Sequence, residues 1–239
     1  MRREENVLNS VLITGCSRGL GLEWVRQCAA AGQRVYATCR EPESADALQA
    51  LAAQHAGVSL HRLDVEEPTQ ITALAAELQG VALDLLVNNA GVYFERWGRD
   101  RLGAIDFDAW DRTFRVNTLA AVRITEAFVE HLAAAEQGLV VAISSHMGCI
   151  SDIASPNDYA YRSSKAALNA SFRGLAYELG QRQIGVLLLH PGWVRTRMGG
   201  DSAPVGVEES VQGMREQVAR FTPARSGRFY KYDGRELPW

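Results

Sequence analysis

Tyr161 and Lys165 are the two residues whose types and spacing most directly indicate chemistry. Residues four apart lie on one face of a helix, and this stripe continues through Leu168 and Phe172, which predicts a core-facing position. Burying an ammonium group beside a phenol is costly unless its charge is used. Proton exchange at neutral pH requires the pKa of the phenol to fall by about two to three units, which this charge and the positive ring of a bound cofactor would together supply. The pair therefore predicts a general acid/base that exchanges a proton with a substrate oxygen.

Further polar residues are expected beside this pair. Ser144 and Ser145 end a predicted strand at the same crevice, where a hydroxyl would hold the substrate oxygen in line with the phenol. Serines at strand ends are, however, more often turn formers. Asn117 lies inside a helical run and is a poor helix former. We therefore expect a specific role for Asn117, such as supporting a water chain to Lys165.

A glycine-rich loop follows the first apolar run and opens the first predicted helix. Its spacing, TGxxxGxG, lets the backbone approach a pyrophosphate at a helix N-terminus. The same spacing excludes a P-loop, which needs a Lys-Ser/Thr pair after its last glycine. Tight turns also use glycine without any ligand. Because a strand precedes this loop and a helix follows it, we favour a dinucleotide site formed by Gly15, Ser17, Arg18, Gly19, Leu20 and Gly21.

The second predicted strand ends at Arg40, where an NAD-preferring site usually has a carboxylate for the ribose 2′-hydroxyl. Arg18 is expected close to the same point. Two guanidinium groups suit a 2′-phosphate, because arginine offers a fixed fork of donors to phosphate oxygens. The alternative is that both are solvated surface arginines, and the acidic Glu41 next to Arg40 supports this alternative. The pattern favours NADP(H) over NAD(H).

Two more strand ends carry residues suited to the rest of a cofactor. Asp64 and Val65 follow the third strand, where Asp64 would hold an adenine amino group, cap the next helix, or do both. The fourth strand ends at Asn88 with further amides and a glycine, although such turns are common. This edge would lie beside a flat cofactor and contact it through Asn89, Ala90 and Gly91.

Short apolar runs alternate with longer helical segments along the chain. The predicted strands cover residues 11–13, 35–39, 58–63, 83–87, 139–144, 184–189 and 228–232, and the predicted helices cover residues 20–31, 44–55, 69–79, 108–135 and 158–181. This alternation indicates βαβ units, and strands that are apolar throughout indicate helices on both faces. We predict a single α/β domain over residues 1–239, a Rossmann fold with a doubly wound, parallel, seven-stranded sheet.

Composition argues against several other classes. The formal net charge of −3 gives no reason to expect nucleic acid or an anionic membrane as a partner. No run of about 18 apolar residues is present and no apolar stretch precedes Val11, so neither a membrane-spanning helix nor a secretory signal is expected. The four cysteines lack CxxC spacing, which favours reduced thiols in a cytoplasmic protein. The five histidines lack ligand spacing, so no metal site is expected.

The glycine loop, the Asn-Asn-Ala-Gly segment, the Tyr-x-x-x-Lys pair and Pro191-Gly192 together resemble the short-chain dehydrogenase/reductase family over nearly the whole chain. The resemblance implies a catalytic tetrad formed by Asn117, Ser145, Tyr161 and Lys165. It implies that Tyr161 and Lys165 also contact the cofactor, as do Pro191, Gly192 and Val194, and that Thr196 contacts its nicotinamide end.

Two segments, residues 144–148 and 159–169, are similar to the C-factor/sniffer-like branch of carbonyl reductases. Tyr159 is a rival for the catalytic tyrosine, but no lysine lies four residues after it. Arg197 departs from the acidic residue expected after Thr196, which puts the local loop structure in doubt.

With this resemblance, the residues predict an NADP(H)-dependent oxidoreductase that interconverts a carbonyl and an alcohol through Tyr161. The alternative is a nucleotide-binding sensor or signalling protein of the same fold. A hydrolase is excluded because Ser145 lacks a GxSxG setting. We expect a small apolar substrate under a mobile lid at residues 192–207, and the resemblance implies a homodimer or homotetramer. The expected pocket is lined by Tyr93, Trp97, Met147, Trp193 and Met198.

Overall fold

The computed structural model describes residues 9–95 and 101–239. Within them, seven strands form one sheet in the order β3-β2-β1-β4-β5-β6-β7, and every neighbouring pair is parallel. The chain moves outward from β1 to β3, returns to place β4 beside β1, and then moves outward to β7. The predicted doubly wound seven-stranded sheet is thus confirmed. The strands are β1 (Ser10–Ile13), β2 (Arg34–Cys39), β3 (Val58–Arg62), β4 (Leu85–Asn88), β5 (Leu139–Ile143), β6 (Gly185–His190) and β7 (Arg228–Lys231).

Successive side chains of each strand point into two apolar cores, one on each face of the sheet. In β1, Leu12 packs in one core with Phe172, whereas Val11 and Ile13 pack in the other with Trp24. Every residue of β1, β4 and β5 is buried. Burial on both faces explains why these strands are apolar throughout.

Helices cover both faces of the sheet. One core is closed by α1 (Gly19–Ala30), α2 (Asp46–Gln54) and α8 (Val207–Ala219). The other is closed by α3 (Pro68–Glu77), the helical segment between residues 107 and 133, and α7 (Tyr159–Gly180). The sequence did not predict α8, which buries one apolar stripe that includes Val211, Met214 and Val218. In the part of the chain that the structure describes, no helix combines the length and apolarity needed to cross a membrane.

The prediction of one continuous helix over residues 108–135 is wrong. The segment is divided into α4 (Phe107–Phe114), a π-helical turn (Arg115–Leu119), α5 (Ala120–Ala127) and α6 (Val129–Ala133). In the π-helical turn, the N–H of Ala120 donates to the carbonyl of Arg115. Such turns are rare and frequently mark functional sites. Asn117 lies at the centre of this turn.

Candidate active site

The carboxyl ends of the central strands border a cavity of about 810 Å³. The cavity begins at the glycine loop and Arg40, passes residues 89–91, and ends at Tyr161 and Lys165. It lies where the strand order reverses between β1 and β4, which is where open parallel sheets bind ligands. A larger cavity of about 1340 Å³ lies at the amino ends of β6 and β7, and none of the described residues that line it belongs to the predicted site.

The glycine loop is packed too closely for side chains at two of its positions. A Cβ at Gly21 would lie 2.2 Å from the carbonyl oxygen of Gly15. A Cβ at Gly15, whose φ is +71°, would lie 3.1 Å from the Cα of Ala90. The Nδ2 of Asn89 donates to the carbonyls of Thr14 at 2.7 Å and of Gly15 at 3.2 Å. The Asn89 amide therefore holds the loop in a form that brings backbone close to the cavity.

The N-terminus of α1 is suited to an anionic group. Arg18 occupies the N-cap position with an extended backbone, and its side chain makes no capping hydrogen bond. The first turn of α1 contains no acidic residue. Because first-turn N–H groups have no acceptor within the helix, they and the positive end of the helix dipole favour a phosphate at this point.

Arg18 and Arg40 border the same end of the cavity, and both are exposed. Neither forms an ion pair within residues 9–95 and 101–239. Glu41 accepts a hydrogen bond from the Ser44 hydroxyl at 3.3 Å. Two guanidinium groups are thus free to meet a phosphate ester.

Asp64 does not cap a helix, so one of its two predicted roles is wrong. The N-cap of α3 is Glu67. The Oδ1 of Asp64 instead accepts a hydrogen bond from the N–H of Glu66 at 3.0 Å, which forms an Asx turn. Asp64 and Val65 both line the cavity. Contact with a cofactor is the role that remains for Asp64, and it stays a prediction.

Tyr161 and Lys165 lie one turn apart in α7, and both are buried at the cavity. The Nζ of Lys165 donates to the carbonyl of Ile143, the last residue of β5, at 2.8 Å. It lies 5.9 Å from the centre of the Tyr161 ring. Burial lowers the pKa of Lys165 to about 8. The ammonium group is therefore anchored to the sheet beside the phenol ring.

The expected lowering of the Tyr161 pKa by Lys165 and a nicotinamide ring together depends on a bound cofactor and stays a prediction. Burial raises the pKa of Tyr161 to about 12, and a hydrogen bond with Ser145 opposes this only in part. Desolvation disfavours the phenolate and is the largest cause of this shift. Tyr161 is therefore protonated at neutral pH, which is the form that donates a proton.

The two serines that follow β5 have different partners. The hydroxyl of Ser144 donates to Oδ1 of Asn169 at 2.5 Å. The hydroxyl of Ser145 accepts a hydrogen bond from the N–H of Met147 at 3.1 Å and interacts with the Tyr161 phenol. Ser145 is therefore the serine that joins Tyr161 at the site.

Asn117 uses its whole amide to join two segments of the site. Its Oδ1 accepts from the N–H of Val92 at 2.8 Å, and its Nδ2 donates to the carbonyl of Val92 at 2.9 Å and to the Ser164 hydroxyl at 3.1 Å. A Cβ at Gly91 would lie 3.3 Å from Oδ1 of Asn117 and 3.8 Å from Nζ of Lys165. Asn117 thus links the residues after β4 to α7, and its predicted water chain stays a prediction.

The N-terminus of α7 is capped by a carboxylate from a distant part of the sequence. The N-cap residue, Asp158, has a φ of +59° and makes no side-chain capping bond. Instead, Oε1 and Oε2 of Glu95 accept hydrogen bonds from the N–H groups of Ala160 and Tyr161, each at 2.7 Å. The Tyr93 phenol donates to Asp158, and its ring centroid lies 4.5 Å from that of Tyr161. The sequence did not predict Glu95, because only the fold brings it to α7.

The arrangement matches a known family. The family model described as short chain dehydrogenase matches residues 9–204. The chain belongs to the short-chain dehydrogenase family. It is 40% identical over 157 residues to the C-signal protein of Myxococcus xanthus, a match that covers 66% of this chain and 93% of that protein.

Solved structures of similar proteins have the same fold as this short-chain dehydrogenase. The carbonyl reductase Sniffer of D. melanogaster has a TM-score of 0.92 and 32% identity, covering 98% of this chain and 100% of that one. The NADPH-bound carbonyl reductase from chicken fatty liver has a TM-score of 0.91 and 33% identity, covering 97% of this chain and 99% of that one. These similarities confirm the predicted family and its C-factor/sniffer-like branch.

The predicted residues after β6 in this short-chain dehydrogenase separate into two groups. Pro191 and Thr196 line the cavity. Val194 pairs instead with Val205, and a Cβ at Gly192 would lie 2.9 Å from the Tyr232 ring. Among the described residues, Gly192 and Val194 are not part of the cavity lining. Their contacts with a cofactor stay predictions, as does the lid role of residues 192–207.

The predicted apolar pocket is present in part. Tyr93 and Met198 line the cavity, together with Phe94, which was not predicted. Trp193 is 56% exposed, and its Nε1 donates to the carbonyl of Gly199 at 2.8 Å. Neither Trp193 nor Met147 belongs to the lining formed by the described residues. The remaining residue of that prediction, Trp97, lies outside the described residues.

Proposed function

We propose that this short-chain dehydrogenase interconverts a carbonyl and an alcohol, with NADP(H) as cofactor and Tyr161 as general acid/base. The observation that carries the proposal is the continuity of one cavity, which joins the exposed Arg18 and Arg40 to the buried Tyr161 and Lys165. The arginine end suits a phosphate-bearing cofactor, and the tyrosine end suits proton exchange with a substrate.

The residues present fit NADP(H). The glycine cradle, in which a Cβ at Gly21 would overlap Gly15, admits a pyrophosphate only through backbone contact. Arg18 and Arg40 offer hydrogen-bond donors to a 2′-phosphate. An arginine, Arg40, follows β2 at the position where an NAD-preferring site has a carboxylate for the ribose 2′-hydroxyl. The next residue, Glu41, accepts a hydrogen bond from Ser44. The similar reductase from chicken fatty liver is described as NADPH bound, which supports the same cofactor here.

The protonated phenol of Tyr161 suits the direction of carbonyl reduction. When bound, the nicotinamide supplies a hydride to the carbonyl carbon. Tyr161 donates its proton to the carbonyl oxygen, and Ser145 holds that oxygen and the phenol in line. The Lys165 charge, 5.9 Å from the ring, stabilises the phenolate that forms as the proton leaves. In the oxidative direction the same groups return the proton.

The substrate class follows from the lining near Tyr161. Tyr93, Phe94 and Met198 give this end of the cavity a mainly apolar surface. An apolar aldehyde or ketone would therefore bind here with its oxygen at Tyr161 and its hydrocarbon part against these side chains.

The test is a fluorescence titration with NADPH and NADH, followed by a panel of aldehydes and ketones in which nicotinamide absorbance is recorded. We expect tighter binding of NADPH and oxidation of NADPH with at least one apolar carbonyl. Tyr161→Phe should remove turnover and keep NADPH binding. Retained turnover in Tyr161→Phe would refute the proposed mechanism, and failure to bind either nucleotide would refute the cofactor.

A second candidate is a nucleotide-binding signalling protein with little turnover. It is favoured by one observation, the 40% identity to the protein named C-signal. The intact Tyr161–Lys165 pair at the cavity argues against it. NADPH binding without turnover of any substrate in the panel would shift the balance to this candidate.

A further inference from the structure

His146, Cys149 and Asp152 form a cluster of ligand-type side chains beside the site. The Nε2 of His146 lies 2.7 Å from Oδ2 of Asp152, and the donor atoms of all three residues lie within 4.8 Å of one another. His146 and Asp152 lie in two 3₁₀ turns, His146–Gly148 and Ile150–Asp152, and Cys149 lies between these turns with an extended backbone. The two tight turns bring the donor atoms of side chains three apart in the sequence close together. Spacing typical of α-helices therefore does not reveal this cluster in the sequence.

The donor set is chemically suited to zinc. An imidazole nitrogen, a thiolate and a carboxylate oxygen are the ligands that zinc uses in proteins, at about 2.0–2.3 Å from the metal. Tetrahedral coordination at these bond lengths requires donor separations of about 3.3–3.6 Å. The donor atoms of the cluster, which are 4.8 Å or less apart, must therefore move closer together by about an ångström. The side chains of His146 and Asp152 are partly exposed and can make this movement. The imidazole nitrogen and the thiolate sulfur are softer donors than oxygen, so this set disfavours magnesium and calcium, which prefer all-oxygen sites.

The surroundings provide access and a further nitrogen. The side chains of His146 and Asp152 are 48% and 38% exposed, so an ion can enter from solvent, whereas Cys149 closes the inner side. The ring of His190 lies with its centroid 6.0 Å from that of His146, and its buried Nδ1 has no hydrogen-bond partner among the described residues. The nearby positive charge of Lys231 is paired with Asp233 at 2.8 Å.

We propose that His146, Cys149 and Asp152 bind a divalent cation of the zinc class. This proposal replaces the expectation, drawn from histidine spacing alone, that the chain has no metal site. It does not depend on the proposed oxidoreductase activity. Binding exchanges the thiol proton of Cys149, which now donates to the Pro238 carbonyl at 3.0 Å, for a metal–sulfur bond, and the proton is released to solvent. The cation also takes the place of the His146–Asp152 ion pair.

The site is tested by titrating the tag-free, reduced protein with Co²⁺ and recording the absorption spectrum. A cobalt–thiolate charge-transfer band is expected to saturate at one ion per chain and to disappear when Zn²⁺ is added. Cys149→Ser should remove the band. Cys28→Ser is the matched control, because this buried thiol lies in α1 and should leave the band unchanged. Absence of the band at about 1 mM Co²⁺, or its persistence in Cys149→Ser, would overturn the proposal.

A second variant tests the site independently, in case Cys149→Ser does not fold. His146 is half-exposed, so His146→Gln should fold normally, which circular dichroism would verify. Its affinity for Co²⁺ should fall at least about 10-fold, by analogy with the loss of groups that support metal ligands. An unchanged affinity in a folded His146→Gln protein would remove the imidazole from the site and overturn the assignment.

Discussion

Replacing Glu95 by alanine tests whether α7 depends on a cap from outside its own sequence. Glu95 accepts two hydrogen bonds at 2.7 Å, from the N–H groups of Ala160 and Tyr161. Hydrogen bonds to a charged group contribute about 1.5–3 kcal/mol each, and the helix dipole adds about 0.3–1 kcal/mol. Because Glu95 is partly exposed, we take the lower part of this range and expect Glu95→Ala to lower the free energy of unfolding by about 2–3 kcal/mol.

Thermal and denaturant unfolding of the two proteins would measure this change. At about 2–4 °C per kcal/mol for a chain of this size, the Tm should fall by about 4–12 °C. Glu95→Gln keeps one acceptor oxygen and should lose roughly half as much free energy. The control is Glu130→Ala, which removes an exposed carboxylate paired with Arg182 at 2.8 Å and should leave the free energy of unfolding almost unchanged.

The same substitution should affect activity more than stability alone explains. Glu95 binds the N–H of Tyr161 itself, and displacement of a catalytic group by about an ångström can cost about 100-fold in rate. We expect kcat/KM to fall by about 10–100-fold at a temperature where Glu95→Ala remains folded. If Glu95→Ala were no more destabilising than Glu130→Ala and equally active, the idea that this carboxylate positions the catalytic helix would be refuted.

Three further predictions follow from the site. Replacing Arg18 or Arg40 by alanine should raise the Kd for NADPH by about 10–150-fold, corresponding to about 1.5–3 kcal/mol, and should leave the Kd for NADH within about twofold. Equal losses of affinity for both nucleotides in fluorescence titrations would contradict the 2′-phosphate assignment. Burial lowers the pKa of Lys165 from 10.5 to about 8, so the folded state binds this proton less tightly than the unfolded chain does. The charged lysine therefore lowers the free energy of unfolding by about 3 kcal/mol. This loss is complete below pH 8 and disappears as the pH approaches 10.5. The stability difference between Lys165→Met and the parent protein in urea should therefore change by about this amount between pH 7 and pH 10, and a difference independent of pH would contradict the burial of a charged lysine. Asn117→Ala should lower the free energy of unfolding by about 2–4 kcal/mol in denaturant melts, because the backbone N–H and carbonyl of Val92 both lose their hydrogen-bond partner. A loss below about 1 kcal/mol would contradict the role of Asn117 in linking these segments.

The sheet could be predicted because its strands carry a strong local signal. Apolar runs bounded by glycine and polar residues marked all seven strands, with errors of about two residues at their ends. The helix α8 was missed although Val211, Met214 and Val218 have helical spacing. Its remaining residues are largely charged or polar, which hides a single buried stripe in a linear reading.

The interruption of the helix over residues 108–135 could not be predicted locally. Its residues favour an ordinary helix, and the π-helical turn is stabilised by contacts of Asn117 with Val92 and Ser164, which depend on the folded sheet. Tertiary contacts therefore override local preference at this point.

The candidate site was predictable to the extent that it depends on spacing. The four-residue spacing of Tyr161 and Lys165 places both at the cavity, and the glycine loop lies where its motif predicts. The rise that burial causes in the Tyr161 pKa could not be predicted from spacing, because burial depends on the packed structure. The extent of the domain, the homodimer or homotetramer and the cytoplasmic location stay predictions.

The π-helical turn at Arg115–Leu119 has a consequence for how this region tolerates changes in length. A π-helical turn contains about one residue more than an α-helical turn, so it is equivalent to a one-residue insertion in a regular helix. Deleting one residue here would allow α4 and α5 to join as an uninterrupted α-helix, but would remove the wide turn that carries Asn117. Asn117 would then leave Val92, and Thr118 would leave the carbonyl of Ser164, to which it now donates at 2.8 Å. The shorter chain would have the more regular helix and the less complete site, so the length of this segment is constrained by the cavity and not by the helix.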